Sequence, residues 1–255
     1  MIEYTKSYKI PVYETDFHGK LYLHSLLNYV QDIAAEHAEL LHFGRDDLKR
    51  ANQFWILSRL YALINRMPGW GETITLKTWP RGTEGLFALR DIEIMDAGGK
   101  IISSVTTSWV VVDIDTRRPC RPESLPESMN REFPSAGTLE RNAARLAPFG
   151  HEGRRSPSFR VKPSDLDINY HVNNVKYVQW IYDSLSVNFL SQNLAGSLEI
   201  NYLAESVEGD ILAVDYRPCD QGNNCSGYSV IRLEQERELC RVIIGWKPVR
   251  NEKVL

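Results

Sequence analysis

The sequence predicts an α+β fold made of two copies of one structural unit, each a long helix wrapped by a curved antiparallel sheet. Three observations predict it. Short motifs recur in the same order along the chain, each recurrence contains an amphipathic helical stripe, and several β-rich segments follow each stripe. One helix followed by several antiparallel strands is typical of α+β proteins in which the sheet curls around an apolar helix.

The composition is that of an ordinary globular protein. The chain has 255 residues, of which 43% are hydrophobic and 25% charged, and both values are close to the average for globular proteins. The net charge of −3 argues against a dedicated nucleic-acid binder. No apolar run approaches the roughly 18 residues of a membrane span, and the first ten residues lack the apolar centre of a signal peptide. We therefore expect a cytoplasmic protein with no membrane span and no nucleic-acid partner.

The four cysteines give no sign of a metal or redox site. Cys120, Cys219, Cys225 and Cys240 form no C-x-x-C pair and no Cys/His spacing of the zinc-binding kind. Because no secretory signal is visible, we expect reduced thiols. The sequence also gives no reason to expect a metal or a cofactor.

The duplication rests on several short matches, each weak alone, that keep their order and nearly their spacing. The matched positions are 28–31 with 176–179, 15–17 with 164–166, 71–72 with 209–210, Pro80 with Pro218, and Trp109 with Trp246. Chance would rarely preserve that order, so we interpret the chain as two copies of one unit. This alignment pairs Asp16 with Asp165.

The first copy is expected to contain one helix and four main strands after a short initial strand. Its helical stripe comprises Leu26, Leu27, Val30, Ile33, Ala34, His37 and Leu41. Gly44 is the expected stop of that helix. The segments 54–64, 73–79, 86–95 and 101–113 are rich in Ile, Val, Thr and aromatic residues and predict strands. The run 96–99, Asp-Ala-Gly-Gly, is a hairpin signal between the last two.

The second copy repeats this pattern. Its helical stripe comprises Val175, Val178, Ile181, Tyr182 and Leu185, and its strands are predicted at 197–203, 211–217, 227–235 and 239–247. Half of the prolines and several arginines fall between the copies, which predicts a surface linker. The expected domains are therefore 1–133, a linker at 134–156, and 157–255.

The densest run of chemically capable side chains precedes the second helix. In an extended strand Asp167, Asn169 and His171 would point to one side, because alternate residues share a face. Helix capping explains part of the run, with Asn173 or Asn174 as the cap. Capping does not explain why a histidine joins an aspartate and an asparagine on one face.

A calcium loop is the alternative interpretation of this run, and it fails. Asp165, Asp167 and Asn169 fit the first ligand positions of such a loop. The sixth position, however, is Tyr170 where glycine is required, and the twelfth is Lys176 where glutamate is required.

The run D-L-D-I-N-Y-H-V-N-N at 165–174, with L-E-I-N-Y-L-A-E-S at 198–206, resembles the acyl-acyl carrier protein (acyl-ACP) thioesterases of plants and bacteria. Their equivalent run is D-x-N-x-H-V-N-N, with a glutamate at a strand end after the next helix. The first copy agrees through W-I-L-S-R-L at 55–60 and P-G-W-G-E at 68–72.

This resemblance implies a tandem hotdog fold and hydrolysis of the thioester that joins a fatty acyl chain to the phosphopantetheine arm of acyl carrier protein. It places the family's catalytic residues at Asp167, Asn169, His171 and Glu205. The family often has cysteine after that glutamate, whereas this chain has Ser206. A hydroxyl with no dedicated base is a poor substitute for a thiolate, so we expect direct attack by water.

In the expected mechanism Glu205 is the general base, held and polarised by His171 and Asp167. Asn169 would donate to the thioester carbonyl or position the water. A backbone N–H at the start of the second helix would help to hold the oxyanion. Whether Asp167 or Glu205 takes the proton stays open at this point.

The first copy is expected to lack this chemistry. Under the Asp16/Asp165 alignment, His18 replaces Asp167, Lys20 replaces Asn169, and Tyr22 or Leu23 faces His171. We therefore expect one active site per chain, with the first copy forming the acyl-chain pocket.

Three alternatives remain beside acyl-ACP hydrolysis. An acyl-CoA thioesterase would use the same chemistry, and only recognition of the group that carries the acyl chain, coenzyme A or acyl carrier protein, would differ. Basic residues at the pocket mouth would favour the acidic carrier protein, and Arg154, Arg155, Lys162 and Lys176 are candidates. A non-catalytic acyl-binding module would not need four retained polar positions, and a hydratase would need a second Asp/His pair. The sequence does not predict the preferred length and saturation of the acyl chain, and a homodimer is one possible oligomeric state.

Overall fold

The computed structural model describes residues 2–121, 137–149, 153–219 and 224–249. The chain divides into two compact units, Met1–Ala144 (unit 1) and Arg145–Leu255 (unit 2). The division falls inside the stretch 134–156 that the sequence assigns to a linker, although residues 134–136 and 150–152 of it lie outside the described residues.

Unit 1 consists of two helices and an antiparallel sheet. The helices are α1 (Leu23–Leu40) and α2 (Arg45–Arg50), and the strands are β1 (Tyr4–Lys9), β2 (Gln53–Ile64), β3 (Thr73–Glu84), β4 (Phe87–Met95) and β5 (Ile101–Asp113). The strand order is β1-β3-β4-β5-β2, with every neighbouring pair antiparallel.

The core of unit 1 forms because α1 and the sheet each have an apolar side. Leu26, Ile33 and Val30 of the helix are buried, as are the alternate strand residues Ile74 and Ile92. The helical stripe and the four strands of the first copy are confirmed.

The end of α1 differs from expectation. The helix ends at Leu40, and His42 takes a left-handed backbone conformation with φ 62° that stops it. Gly44 instead precedes α2 and is its N-cap. The hairpin signal at 96–99 is confirmed, since the Gly99 N–H donates to the Asp96 carbonyl at 2.9 Å.

Unit 2 repeats the plan with shorter elements. Its helices are α3 (Asn174–Asp183) and α4 (Val187–Gln192), and its strands are β6 (Arg154–Arg155), β7 (Phe159–Arg160), β8 (Asn193–Tyr202), β9 (Ile211–Pro218), β10 (Cys225–Arg232) and β11 (Arg237–Pro248). The strand order is β8-β11-β10-β9-β6, and β7 also pairs with β9.

The helical stripe of unit 2 packs as predicted at Val175, Val178 and Ile181, which are buried. The strand predicted at 227–235 ends earlier, because residues 233–235 form a 3-10 turn and Glu236 has a left-handed φ of 45°. That turn lets the chain reverse into β11.

The expectation of four reduced thiols was wrong for two of them. Cys219 and Cys225 form a disulfide, with their Cα atoms 5.6 Å apart. Cys219 directly follows β9 and Cys225 begins β10, so the antiparallel pairing of these strands brings together two cysteines whose sequence spacing carries no motif. Cys120 and Cys240 are free thiols.

The described residues between the two copies are hydrogen-bonded to the sheet of the unit to which each belongs. The Thr138 N–H donates to the buried carboxylate of Asp91 at 2.7 Å, in unit 1. The Leu146 N–H donates to the buried amide oxygen of Asn201 at 2.8 Å, in unit 2. Polar groups inside the sheets therefore fix the backbone of this segment. In the described ranges, no helix is long and apolar enough to cross a membrane.

Candidate active site

The run that contains the candidate residues folds into a tight turn, which corrects the expectation of an extended strand. Leu166 and Val172 pair as an isolated bridge, and between them the Asp167 N–H donates to the His171 carbonyl at 2.8 Å. Tyr170 closes the turn with a left-handed φ of 61°.

The Asp167 carboxylate is the reason for this turn. Its Oδ1 atom accepts the backbone N–H of Asn169 at 2.7 Å and that of His171 at 3.3 Å. Aspartate side chains commonly bond to backbone N–H groups a few residues ahead and so stabilise turns. Asp167 is half-buried, whereas Asn169 is exposed at the tip of the turn.

Helix α3 begins directly after the turn. Asn173 is its N-cap, and the side-chain oxygen of Asn173 accepts the Val175 N–H at 3.1 Å. The capping role considered for this residue is confirmed. The N–H of Asn173 itself donates to the Asp165 carbonyl at 2.9 Å.

His171 and Glu205 are the two candidate side chains that approach each other. The His171 Nε2 atom lies 3.5 Å from the Glu205 Oε2 atom, and their side chains are 24% and 42% exposed. This distance is slightly longer than an ordinary N–H···O hydrogen bond. A small side-chain rotation would therefore close it, and both groups can be reached by a substrate.

The turn that carries Glu205 follows β8 and is attached to the His171 turn. The Val172 N–H donates to the Ser206 carbonyl at 2.9 Å. Ser206 itself is fully buried, and its Oγ atom donates to the Asp210 Oδ2 atom at 2.7 Å. The hydroxyl that follows Glu205 in sequence therefore faces a carboxylate inside the protein.

Sequence reasoning missed two residues that support this turn. Arg232, at the end of β10, pairs with the Asp210 carboxylate at 2.8 Å and donates from Nη2 to the Glu205 carbonyl at 2.6 Å. Burial alone would raise the pKa of Asp210, but bonds from Ser206, the Val207 N–H and Arg232 lower it below its usual range. The match of 209–210 with 71–72 was the available signal for Asp210.

The remaining free thiol near this end of unit 2 cannot supply a nucleophile. Cys240 is fully buried, and burial raises the pKa of its thiol well above the usual range, which keeps it protonated. In the described part of the chain, no group of three His, Cys, Asp or Glu side chains is placed to hold a metal ion.

Unit 1 contains the same turn, and its hydrogen bonds correct the alignment of the copies. The Asp16 Oδ1 atom accepts the backbone N–H of His18 at 2.9 Å and that of Lys20 at 3.0 Å. The Asp16 N–H donates to the Lys20 carbonyl at 2.8 Å, and Gly19 has φ 67° where Tyr170 has 61°.

Asp16 therefore corresponds to Asp167, and the pairing of Asp16 with Asp165 was wrong. The sequence D-L-D offers two aspartates, and similarity alone could not choose between them. In the corrected alignment the first copy keeps the aspartate, whereas His18 stands for Asn169 and Lys20 for His171. The Leu21 N–H donates to the Pro68 carbonyl as Val172 does to Ser206, so Met67 stands for Glu205.

Known protein families match both units. The model of the acyl-ACP thioesterase N-terminal domain matches residues 2–127, and that of the C-terminal domain matches residues 151–248. The chain is 28% identical over 257 residues to "Acyl-[acyl-carrier-protein] hydrolase FATB1, chloroplastic" of Cuphea viscosissima, covering 95% of this chain and 61% of that protein. It is 26% identical to the "Palmitoyl-acyl carrier protein thioesterase, chloroplastic" of Cuphea hookeriana, covering 96% and 62%. The chain thus spans less than two thirds of the length of these relatives.

Solved structures agree with the fold. An acyl-ACP thioesterase from Bacteroides thetaiotaomicron superposes with a TM-score of 0.86 at 25% identity, covering 96% of this chain and 98% of that one. A 12:0-ACP thioesterase from Umbellularia californica superposes with a TM-score of 0.87 at 19% identity, covering 97% and 95%, and supports the fold alone. The α+β fold of two tandem hotdog units is confirmed, and this chain belongs to the acyl-ACP thioesterase family.

Proposed function

We propose that the chain hydrolyses fatty acyl-ACP thioesters to free fatty acid and acyl carrier protein, with its active site in unit 2. The observation that carries the proposal is the 3.5 Å approach of His171 Nε2 to Glu205 Oε2 on two turns joined by a backbone hydrogen bond. A carboxylate and an imidazole side by side on an accessible surface can move a proton from water. Family membership supports the thioester as the substrate class.

In the proposed step, Glu205 accepts a proton from a water molecule while the water oxygen bonds to the thioester carbonyl carbon. His171 holds the Glu205 carboxylate and shares the proton. Collapse of the tetrahedral intermediate breaks the carbon–sulfur bond, and the proton leaves with the phosphopantetheine thiol. No bond forms between Ser206 and the acyl group, because the Ser206 hydroxyl is fully buried and its partner Asp210, whose pKa is lowered, is a poor acceptor of its proton.

Glu205, rather than Asp167, is the proposed proton acceptor. Asp167 accepts two backbone N–H groups through one oxygen. Asp16 does the same in unit 1, where Lys20 and Met67 stand in place of His171 and Glu205. Asp96 closes the β4–β5 hairpin in the same way, with the N–H groups of Gly98 and Lys100 each at 3.0 Å. This carboxylate arrangement supports a turn wherever it occurs, so Asp167 is assigned the support of the His171 turn.

Stabilisation of the oxyanion is assigned to the side chain of Asn169 and to a backbone N–H at the start of α3. Asn169 is exposed at the tip of the turn, where its amide can donate to the thioester carbonyl. Val172 and Asn173 already donate their N–H groups to Ser206 and Asp165. Asn174 is the first residue of α3, and its backbone N–H has no acceptor within the described residues. This N–H can therefore donate to the oxyanion, and the helix dipole favours negative charge there.

The other expectations stay proposals. Unit 1 would form the acyl-chain pocket and carry no site of its own, and the functional domains would be 1–133 and 157–255. The proposed partner is acyl carrier protein, and the proposed location is the cytoplasm. Of the basic candidates for carrier recognition, Arg155 pairs with Asp215 at 2.7 Å and with Glu236 at 3.1 Å. The exposed Arg154 and Lys162 are therefore better placed to meet an acidic partner.

The test is a panel of acyl-ACP and acyl-CoA thioesters of increasing chain length, assayed for release of free thiol. We expect turnover of the ACP series, with a chain-length preference, because each buried methylene contributes about 0.8 kcal/mol. Faster turnover of every acyl-CoA would favour the acyl-CoA thioesterase alternative. Inactivity on all members, together with tight acyl binding, would favour the non-catalytic module.

A further inference from the structure

A partly buried ion pair lies beside the turn that carries Glu205. The Arg232 and Asp210 side chains are 12% and 14% exposed, and their closest N···O distance is 2.8 Å. Arg232 also donates from Nη2 to the backbone carbonyl of Glu205 at 2.6 Å. One guanidinium therefore joins the carboxylate of Asp210 to the backbone of Glu205.

Asp210 is the centre of this cluster. Its Oδ2 atom accepts the Ser206 hydroxyl at 2.7 Å, the Val207 N–H at 3.0 Å and Arg232 Nε at 3.0 Å. A partly buried carboxylate is stabilised when hydrogen-bond donors replace the water that it has lost. The two residues after Glu205 are thereby fixed to Asp210, and Glu205 itself is fixed to Arg232.

Unit 1 provides an internal comparison. There the corresponding carboxylate, Glu72, accepts the Gly69 N–H at 3.0 Å and pairs with Arg66 through two bonds of 2.9 and 2.7 Å. The ion pair thus stabilises the same turn in a unit where Met67 stands in place of Glu205. In unit 1 the arginine contacts are to the carboxylates of Glu72 and Asp96. In unit 2 the arginine reaches the backbone of the proposed general base.

We propose that Arg232, supported by Asp210, is a positioning residue that holds Glu205 at the distance from His171 that the reaction requires. The inference rests on the proposed function of the site, and it assigns the ion pair a part in catalysis that its counterpart in unit 1 does not have. Displacing a reacting group by about 1 Å can lower a rate by about 10²-fold. A shift of the Glu205 backbone would therefore reduce turnover without removing any group that touches the substrate.

The geometry also predicts that lysine is an incomplete replacement. Arg232 uses separate N–H groups for Asp210 and for the Glu205 carbonyl. A single ammonium group can satisfy one of them well, because it lacks the planar fork of a guanidinium. Arg232→Lys should therefore keep the ion pair, and it should retain more turnover than a variant that loses the ion pair.

The experiment compares Arg232→Gln with the matched variant Arg66→Gln, which breaks the corresponding ion pair in unit 1. Both variants should lower the melting temperature. On acyl-ACP, Arg232→Gln should lower kcat by about tenfold or more with KM nearly unchanged, whereas Arg66→Gln should keep kcat within about twofold. Arg232→Lys should give an intermediate kcat. Equal kcat losses in the two glutamine variants, or a wild-type kcat in Arg232→Gln, would overturn the proposal.

A second measurement separates this proposal from the proposed function. The NMR signals of the His171 imidazole report its contact with Glu205 whether or not the chain turns over thioesters. They should move in Arg232→Gln and in Arg232→Lys, and stay in place in Arg66→Gln. Unmoved signals in both Arg232 variants would overturn the positioning role. If Arg232→Gln does not fold, Arg232→Lys and Asp210→Asn carry the same comparison.

Discussion

The Val172 N–H donates to the Ser206 carbonyl at 2.9 Å, so the turn that carries His171 is bonded to the turn that carries Glu205. The equivalent bond in unit 1 joins Leu21 to Pro68, also at 2.9 Å. The duplicated fold therefore builds the same pair of joined turns in both units. The side chains placed on those turns differ, and the proposed chemistry depends on that difference.

The first prediction concerns Asp167, whose carboxylate accepts two backbone N–H groups. Asp167→Asn should keep acyl-ACP hydrolysis within about tenfold of wild type, because an amide oxygen can accept the same bonds. Asp167→Ala should lose more, since both N–H groups lose their acceptor. The control is Asp16→Ala, which should lower stability and leave kcat nearly unchanged. A loss of about 10² or more in a folded Asp167→Asn would show that the carboxylate takes the proton.

The second prediction concerns Ser206, the residue that follows Glu205. Its hydroxyl is buried against Asp210, so Ser206→Ala should lower kcat by less than about tenfold through weaker support of the turn. Mass spectrometry of enzyme quenched during turnover should find no acyl group on the protein. Abolished turnover in a folded Ser206→Ala, or an acylated Ser206, would contradict direct attack by water.

The third prediction concerns Tyr170, which holds a left-handed conformation where unit 1 has Gly19. A left-handed backbone conformation costs a non-glycine residue about 1–2 kcal/mol, which a change to glycine would relieve. Glycine also has more conformational freedom in the unfolded chain, which offsets part of this stabilisation. Tyr170→Gly should raise the free energy of unfolding by up to about 1 kcal/mol in urea titrations. The reverse change, Gly19→Ala, should lower it, since no atom lies within 4 Å to compensate by contact. A destabilised Tyr170→Gly would mean that the exposed ring makes a stabilising contact.

The fourth prediction concerns pH. Arg66 and the Gly69 N–H lower the pKa of Glu72, and the bonds at Asp210 lower its pKa against the effect of burial. A carboxyl whose folded pKa is depressed stabilises the fold above its unfolded pKa of about 4 and loses that contribution as pH falls through the folded pKa. The free energy of unfolding of wild type should therefore exceed that of Asp210→Asn at pH 6, and the difference should shrink as the pH falls below about 4. Glu72→Gln should behave alike, and a constant difference across this range would contradict the assignment.

The sequence predicted the elements that bury one apolar side. The stripe of Leu26, Val30 and Ile33 has helical period, and β3 alternates buried Ile74 and Leu76 with partly exposed neighbours, so both patterns are readable without a structure. The ends of elements were less predictable. His42 and Glu236 stop a helix and a 3-10 turn through left-handed backbone, which neither residue type signals strongly.

The candidate site was predictable in composition and not in geometry. The resemblance named His171 and Glu205, which lie together, but it could not distinguish the turn-forming role of Asp167 from a catalytic one. That distinction needs the hydrogen bonds of Asp167 and Asp16, because the D-L-D run aligns equally well in two registers. Arg232 could not be identified from the sequence, because it contacts the Glu205 turn from a strand that lies 27 residues further along the chain.

The rate of free thiol release by Glu205→Gln at saturating acyl-ACP tests the account most directly, because glutamine keeps the size of the side chain and cannot accept the proton. With the fold verified by circular dichroism, the account predicts a kcat at least about 10²-fold below that of wild type. A folded Glu205→Gln that releases thiol at nearly the wild-type rate would contradict it.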